Sequence, residues 1–343
     1  MKYALLLWPH ANARYQAETR KLACAELELM LRRLAPEASV SIDEASQLPA
    51  LSIDCPSPLK EDALSLIKTH SLLYALFERR EDGALMSVTG RAGALLGDDL
   101  PAILKYKGKT NEMFLQLLIN VALYSGDFWQ TEHIDFFDPM CGRATAPFIA
   151  LNRGFNAVGA DVDKNDLKEA EIFFKRYLEY HRFKYNMTRE SRTVGGRTPV
   201  PVTRFETAES HEAYREKRTL TLSLANLDAA RAGEAYGRSR FHLIACDLPY
   251  GVAHMAQPGQ PAPRGKNALE PLLAKALPGF RKLLRPGGTV ALSFNAQTFR
   301  RDRLMDMLAA AGLEPLSGGP YDRFEHWVEQ AITRDIVVGY NKP

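Results

Sequence analysis

Asp247-Leu248-Pro249-Tyr250-Gly251 closes the apolar run 241–246, and its residue types suit the handling of a planar amine. The Asp247 side chain and the Leu248 carbonyl can accept hydrogen bonds from exocyclic N–H groups. That would aim the nitrogen lone pair at an electrophilic carbon for in-line attack. Pro249 fixes the turn, and Tyr250 offers a face on which a ring can stack. A proline turn beside a core tyrosine is the plain structural alternative.

A second turn stands upstream. Residues 134–145 read IDFFDPMCGRAT, an apolar run that breaks at Asp138 and Pro139 into a small-residue turn and then opens a helix. Such a junction presents backbone N–H groups at a positive helix end, and small residues let a ligand approach the main chain. The dinucleotide pattern GxGxxG is absent. Gly142 is the only glycine of this turn, with Ala144 where a second is expected. Asp161 ends the next strand, 23 residues after Asp138, a spacing suited to accepting both ribose hydroxyls. Arg143 is the single basic residue of the turn, so no pyrophosphate cradle is present, which favours a cofactor with a ribose and no phosphate. A generic α/β loop with a surface Asp is the alternative. The two turns together point to an S-adenosylmethionine-dependent N-methyltransferase. A sulfonium is an activated leaving group, so the transfer needs no metal and no strong base.

These turns need a sheet to hold them. From residue 134 strands and helices alternate: strand 134–137, helix 144–152, strand 156–160, helix 164–180, then strands 220–225 and 241–246, helix 268–284, strand 288–294 and helix 302–311. Two last strands are expected near 324–332 and 334–340. Alternation of this kind implies right-handed crossovers and a mostly parallel sheet covered on both faces. The stretch 185–218 is too irregular and too long for an ordinary connection, and reads as a functional insertion or a disordered segment. Asn226-Leu227-Asp228-Ala229 follows a strand, where Asp228 could read an adenine edge or cap a helix. Residues 283–288 (LLRPGG) form a structural helix-to-strand turn. Ahead of the first turn, Lys105, Lys107 and Lys109 could meet phosphates or face water, and a helix follows over 111–124, started by Asn111 and Glu112.

The first hundred residues follow another plan. Strand 3–8 is followed by an amphipathic helix over 14–34 with Leu22, Leu27, Met30, Leu31 and Leu34 on one side. Short strands come at 39–42 and 51–54, a helix runs over 58–79 with Ser57 as its cap and Pro58 in its first turn, and a strand covers 84–88. The order β-α-β-β-α-β is ferredoxin-like. A glycine-rich linker at 89–99 joins the halves.

Composition sets outer limits. At 343 residues, 46% hydrophobic and 25% charged, the chain suits two soluble domains or one large one. Its apolar runs fall far short of the roughly 18 residues of a membrane helix, and MKYALLLWPH is too short in its apolar run for a signal peptide. Cys24, Cys55, Cys141 and Cys246 form no CxxC pair and no cluster with His, which fits a reduced cytoplasm and no zinc site. Residues 1–100 hold 11 Lys and Arg against 14 Asp and Glu, a net charge of −3, whereas the whole chain carries +3. Residues 175–204 concentrate eight basic residues against two acidic ones, interleaved with Tyr177, Tyr180, Phe183 and Tyr185. That pattern is one footprint of nucleic-acid binding, and a solvated helix running into a basic loop explains it equally.

At the two turns the chain resembles class I S-adenosylmethionine-dependent methyltransferases, and within them the RNA methylase family that includes the THUMP-containing tRNA guanosine-10 N2-methyltransferases. The family's Asp-Pro-X-Cys-Gly-X-Gly-Thr loop is similar to Asp138-Pro139-Met140-Cys141-Gly142-Arg143-Ala144-Thr145, with Ala144 as the mismatch. Its Asp-Pro-Pro-Tyr-Gly motif is similar to residues 247–251, with Leu248 as the mismatch, a change that keeps the carbonyl. The segment KGKTNEMFLQLLINVA (107–122) resembles the helix before the family's cofactor loop. The motif resemblance covers roughly 105–343; over 1–100 only element order and the piece THSLLYALFER carry it. It implies a Rossmann-like class I methyltransferase sheet over 99–343, with an insertion at about 181–218, and a smaller N-terminal α+β ferredoxin-like domain over 1–98 that could bind RNA. S-adenosyl-L-methionine is the implied cofactor. The resemblance places Asp138, Pro139, Cys141, Gly142 and Thr145 in its loop, with Asp138 to Gly142 at the methionine part, Asp161 on the ribose and Asp228 on the adenine amine. It assigns Asp247, Leu248, Pro249 and Tyr250 to the target nitrogen, with guanine N2 in tRNA as the implied acceptor. Adenine in DNA, a protein side chain or a small-molecule amine are alternative acceptors, and a catalytically silent RNA-binding module is the alternative to an enzyme. The acidic N-terminal module sits poorly with phosphate contacts.

Overall fold

The computed structural model describes residues 1–10, 12–44, 48–106, 108–250 and 269–343. Lys107, Gly251 and the expected helix start at 268 lie outside the described residues. The chain divides into two compact units, one of Met1–Ala92 with Asn295–Gln297 and Leu316–Ile336, the other of Gly93–Phe294, Thr298–Pro315 and Val337–Pro343.

The first unit begins β1 (Lys2–Leu7), α1 (Ala13–Leu31), β2 (Ser39–Ile42), β3 (Ala50–Asp54), α2 (Glu61–Ile67), β4 (Leu73–Arg79) and β5 (Leu85–Gly90). Its sheet runs β2-β3-β1-β4-β5 with antiparallel neighbours throughout. This is the ferredoxin-like arrangement with one strand added at the edge. Asn12 caps α1 by accepting the Tyr15 N–H at 3.1 Å. Leu22, Leu27, Met30 and Leu31 are buried with Leu5, Leu51, Ile53 and Leu76 of the sheet.

The expected helix over 58–79 is corrected here. The helix spans only Glu61–Ile67, its N-cap is Lys60 rather than Ser57, and Leu73–Arg79 is a strand. A short apolar run such as LLYALF satisfies either period. Pairing with β1 from Lys2↔Arg79 to Leu7↔Leu73 satisfies its backbone groups and decides the outcome. The strand closing the ferredoxin order is therefore β4, and the one expected at 84–88 becomes the extra β5.

Between α2 and β4 the chain turns through a buried polar network. The Ser71 N–H donates to Glu26 Oε1 at 2.9 Å and its hydroxyl to Oε2. His70 accepts the Leu72 N–H at Nδ1 (3.2 Å), so Nε2 carries the proton and donates to the Ala23 carbonyl at 3.1 Å. Glu26, His70 and Ser71 are at most 1% exposed, so the carboxylate depends on these donors for the hydration it has lost.

In the second unit come α3 (Leu100–Ile103), α4 (Glu112–Ser125), β6 (Asp135–Asp138), α5 (Thr145–Asn152), β7 (Asn156–Asp161) and α6 (Lys164–Tyr180). Next are β8 (Tyr185–Val194), β9 (Thr198–Thr207), α7 (His211–Arg215), β10 (Leu220–Asn226), α8 (Ala232–Ala235) and β11 (Phe241–Asp247). The chain ends with α9 (Leu269–Leu283), β12 (Leu284–Asn295), α10 (Arg301–Ala310), β13 (Glu314–Leu316), β14 (His326–Glu329) and β15 (Ile332–Tyr340). β14, which falls in the first unit, pairs with residues 332–334. The expected strand over 324–332 is thus shorter, and the sequence reading missed β13.

The large sheet is ordered β13-β15-β12-β11-β6-β7-β10-β9-β8. β6 pairs in parallel with β7 on one side and β11 on the other, β10 joins β7 and β12 joins β11, again in parallel. The chain steps outward through β6, β7 and β10, then returns to start β11 on the other side of β6. That is a doubly wound sheet with its switch point between β6 and β11. With β15 inserted between β12 and β13, it is the Rossmann-like class I methyltransferase sheet. Its middle is sealed by Phe136, Phe137, Phe241, Ile244 and Leu292, all buried. α6 sinks Leu167, Ala170, Phe174, Tyr177 and Leu178 at helical spacing, and Phe174 packs on Phe148 and Phe205 at 5.3 and 5.1 Å.

The stretch 185–218 is neither irregular nor loop-like, which corrects the sequence reading. β8 and β9 form a hairpin paired without a break from Tyr185↔Thr207 to Val194↔Thr198, and β9 continues the sheet antiparallel to β10. Gly195 and Gly196 make the turn with φ of 58° and 73°. Two successive positive φ values are what a type I′ hairpin turn requires.

Removing the Ser71 hydroxyl takes one donor from Glu26 Oε2, which His70 Nε2 also approaches at 3.4 Å. Ser71→Ala is expected to lower the unfolding free energy by about 1–3 kcal/mol, read as a lower urea midpoint at unchanged m-value. A midpoint equal to that of the unmodified chain would show that the carboxylate is satisfied without it.

Candidate active site

The C-terminal ends of β6, β7 and β11 meet at the switch point, and each ends on a carboxylate. Asp138 closes β6, 5% exposed, and accepts the Met140 N–H at 3.1 Å. The loop then folds onto β7: the Cys141 N–H donates to the Ala160 carbonyl at 2.9 Å, and the Gly142 N–H to Asp161 Oδ2 at 2.8 Å. The Asp163 N–H occupies Asp161 Oδ1 at 2.9 Å. Gly142 and Ala144 both take left-handed backbone, at φ 50° and 64°. Gly159 is required for this approach, since a Cβ there would stand 2.7 Å from Cys141 Sγ. Thr145 begins α5 and is buried, as is Pro139.

Burial dominates the electrostatics of this cluster. It pushes the Asp138 carboxyl up to about 8, aided by the negative charges of Asp161 and Asp247 and partly offset by the Met140 N–H and the Cys246 thiol. Asp161 is raised for the same first reason, with its two backbone donors opposing. The Cys141 and Cys246 thiols are pushed well above their ordinary value by burial and the neighbouring carboxylates, so they stay protonated and unreactive.

Asp247 receives two hydroxyl donors, Tyr250 on Oδ1 and Thr110 on Oδ2. The Tyr250 oxygen also lies 3.3 Å from Ser293 Oγ. The Leu248 N–H donates to the Ser293 carbonyl at 2.9 Å and fixes the turn on β12. Thr110 comes from the segment before α4, which reaches the other turn as well. Tyr106 Oη stands 3.3 Å from Thr145 Oγ1, and its ring lies under the Arg143 guanidinium at 4.7 Å.

The structure brings Asp138, Cys141, Gly142, Asp161, Asp247 and Tyr250 into one region. Asp228 is placed differently: its Oδ1 accepts the Ala230 N–H at 2.9 Å and caps the 3-10 turn Ala229–Arg231. Asn226, read only as part of that motif, donates from Nδ2 to the Asp161 and Val162 carbonyls at 3.0 Å each. Lys109 neither faces water nor waits for phosphate. Its Nζ donates to the Pro101 carbonyl at 2.6 Å and pairs with Glu112. Tyr106, Thr110 and Ser293 escaped the sequence reading, because no local pattern marks a residue whose partner is 39 or more positions away. Among the described residues, no helix is long and apolar enough to cross a membrane, and no group of three or more His, Cys, Asp or Glu could hold a metal ion.

No family model and no curated protein matches the chain. Among solved structures it is similar to TrmN from Thermus thermophilus, at 13% identity and TM-score 0.42 over 99% of both chains. It is also similar to the rRNA methyltransferase aviRa from Streptomyces viridochromogenes, at 14% identity and TM-score 0.40 over 71% of this chain and 90% of that one. A third is 1,6-didemethyltoxoflavin-N1-methyltransferase from Burkholderia thailandensis, solved with 1,6-didemethyltoxoflavin and S-adenosylhomocysteine, at 13% identity and TM-score 0.37 over 66% and 79%. At such low values the fold rests on the strand order itself.

Two outcomes follow from the loop. Left-handed backbone at a residue with a Cβ costs about 1–2 kcal/mol, so Ala144→Gly is expected to raise the unfolding free energy by about 0.5–1 kcal/mol once the flexibility of glycine in the unfolded chain is counted. A drop would mean that the buried methyl outweighs the backbone. The second concerns pH. Asp138 binds its proton more tightly folded than unfolded, from an ordinary 3.8 to about 8. The stability this contributes is fully present below about 4 and lost as pH rises through 8. Asp138→Asn should therefore flatten the fall in unfolding free energy between pH 4 and 8. Parallel profiles for the two proteins would exclude a raised Asp138.

Proposed function

We propose that the chain is an S-adenosylmethionine-dependent N-methyltransferase acting on an exocyclic amine, with guanine N2 in tRNA as the acceptor. The observation that carries the reading is the placement of Asp247 and Tyr250 at the end of β11 across the switch point from the loop that joins Asp138 to Asp161. Ligands of doubly wound sheets bind outside the carboxyl ends of the strands at that point.

The residues present fit the cofactor. Asp161 spends one lone pair of each oxygen on a backbone N–H, which leaves each oxygen able to accept a ribose hydroxyl. Asp138, beside it, offers a carboxylate to a cationic group, which would displace its proton. Arg143 is held by Asp166 and Glu169, so among the described residues the loop offers no unengaged cation to a phosphate. Asp228 can still meet an adenine amine through Oδ2 while Oδ1 caps the turn. When bound, the cofactor supplies an activated methyl group. Asp247 and the Leu248 carbonyl would hold the amine N–H groups and aim the nitrogen lone pair at the methyl carbon. As the C–N bond forms the C–S bond would break with its pair on the leaving sulfur, and the proton shed would lie on an N–H that Asp247 already accepts. Tyr250 supplies the stacking face for a base flipped into the site.

RNA is favoured by the surface of α6 and the β8–β9 hairpin. Tyr180 is 83% exposed, and Arg176, Arg182, Lys184 and Arg197 are exposed around it or along the same segment. In this reading residues 1–98 serve as the substrate-binding module and 99–343 as the catalytic part, with the insertion at 181–218 adding grip. The four buried free cysteines fit a cytoplasmic protein.

The test is transfer of labelled methyl from S-adenosylmethionine to tRNA lacking the modification, followed by nucleoside mass spectrometry. N2-methylguanosine that disappears in Asp247→Ala is the expected result. Label in DNA, protein or a small amine instead of RNA would keep the reaction and change the acceptor. Cofactor binding with no transfer to any of these would leave a silent RNA-binding module, and activity surviving in Asp247→Ala would overturn the site.

A further inference from the structure

Thr110 precedes α4 by two residues and lies 137 positions from Asp247, yet its hydroxyl donates to Asp247 Oδ2. Its backbone is held on both sides. Asn111 turns its Oδ1 back to the Met113 and Phe114 N–H groups at 2.9 and 3.2 Å, which locks the start of α4. Lys109 is tied to the Pro101 and Ala102 carbonyls at 2.6 and 3.4 Å and to Glu112. A side chain between two such anchors has little freedom, so its donor is presented at a set place.

We propose that Thr110 is a positioning residue for the transfer. Its hydroxyl fixes the rotation of the Asp247 carboxylate, so that Oδ1 meets the target amine at the angle required for attack. This role rests on the function proposed above. A carboxylate torsion is broad and two-fold when unrestrained, so one fixed donor on one oxygen is what gives the other a defined direction. The two hydroxyls on Asp247 then have different fates. Tyr250 has a second partner at hand in Ser293 Oγ, 3.3 Å away, and can pass to it when an amine N–H takes Oδ1. Thr110 belongs to the anchored segment and keeps Oδ2 throughout. Because that segment also carries Tyr106 against Thr145 at the start of α5, the aim of Asp247 and the packing of the cofactor loop share one support.

Thr110→Val removes the hydroxyl and keeps the shape, whereas Thr110→Ser keeps the hydroxyl. Small misplacements of reacting groups cost up to about 100-fold in rate. Thr110→Val is therefore expected to lower kcat roughly 10-fold or more, with KM for RNA and cofactor within about twofold, while Thr110→Ser recovers most of the rate. A merely structural residue would move the melting temperature and KM together and would not be rescued in kcat alone. The second readout needs no turnover. In urea unfolding, Thr110→Val and Asp247→Asn combined should be non-additive, because the two groups share one hydrogen bond. Either a kcat for Thr110→Val within twofold of the unmodified enzyme, or additive unfolding energies, overturns the proposal. An unmodified protein that methylates nothing, with the coupling intact, overturns the reaction and this role with it. An unmodified protein that methylates, with a Thr110→Val kcat within twofold of it, overturns the role alone.

Discussion

Parallel pairing of β6 with β7 on one edge and β11 on the other determines where the strand-end carboxylates of the second unit meet. Parallel neighbours end on the same side of a sheet, so Asp138, Asp161 and Asp247 arrive together although the first and last are 109 positions apart. Three carboxylates brought so close while losing water are costly. The structure meets that cost with backbone donors from Met140, Gly142 and Asp163, and with hydroxyls from Thr110 and Tyr250. The raised Asp138 is what remains unbalanced. A carboxyl in that condition suits a cationic neighbour, whose charge would favour its ionised form.

Each turn is held from outside itself. The loop after β6 leans on β7 through Cys141 and Gly142, and Gly159 keeps β7 low enough to be approached. The turn after β11 leans on β12 through Leu248. The segment before α4 touches both. Each turn takes its shape from hydrogen bonds to strands outside it.

Legibility in the sequence followed range. Helix 164–180 was readable to the residue, and in the structure its apolar spacing and Asp163 cap agree with that span. The Asn111 helix start and the strands that end in Asp138, Asp161 and Asp247 were readable for similar reasons. Both motif turns could be picked out by composition, and the resemblance lent roles to their residues. The 58–79 helix failed where a strand partner, β1, outweighed local periodicity. The hairpin at 185–207 was missed although Gly195-Gly196 between alternating residues carries its signal; the density of charge around it hid the pattern. Thr110, Tyr106 and Ser293 had no such signal, since their meaning lies wholly in distant partners. Asp228 remained between two readings that the structure allows to coexist.

The hairpin has a consequence for how such a chain can change. Its first and last residues, Tyr185 and Thr207, are paired neighbours, so the chain enters and leaves β8–β9 at one place. A segment with adjoining ends can be shortened, lengthened or exchanged without re-threading the strands beside it. β10 already has β7 on its other edge, so the parallel centre does not depend on the graft for its own pairing. The parallel strands that end in Asp138, Asp161 and Asp247 can therefore stay fixed while the outer margin of the sheet is rebuilt.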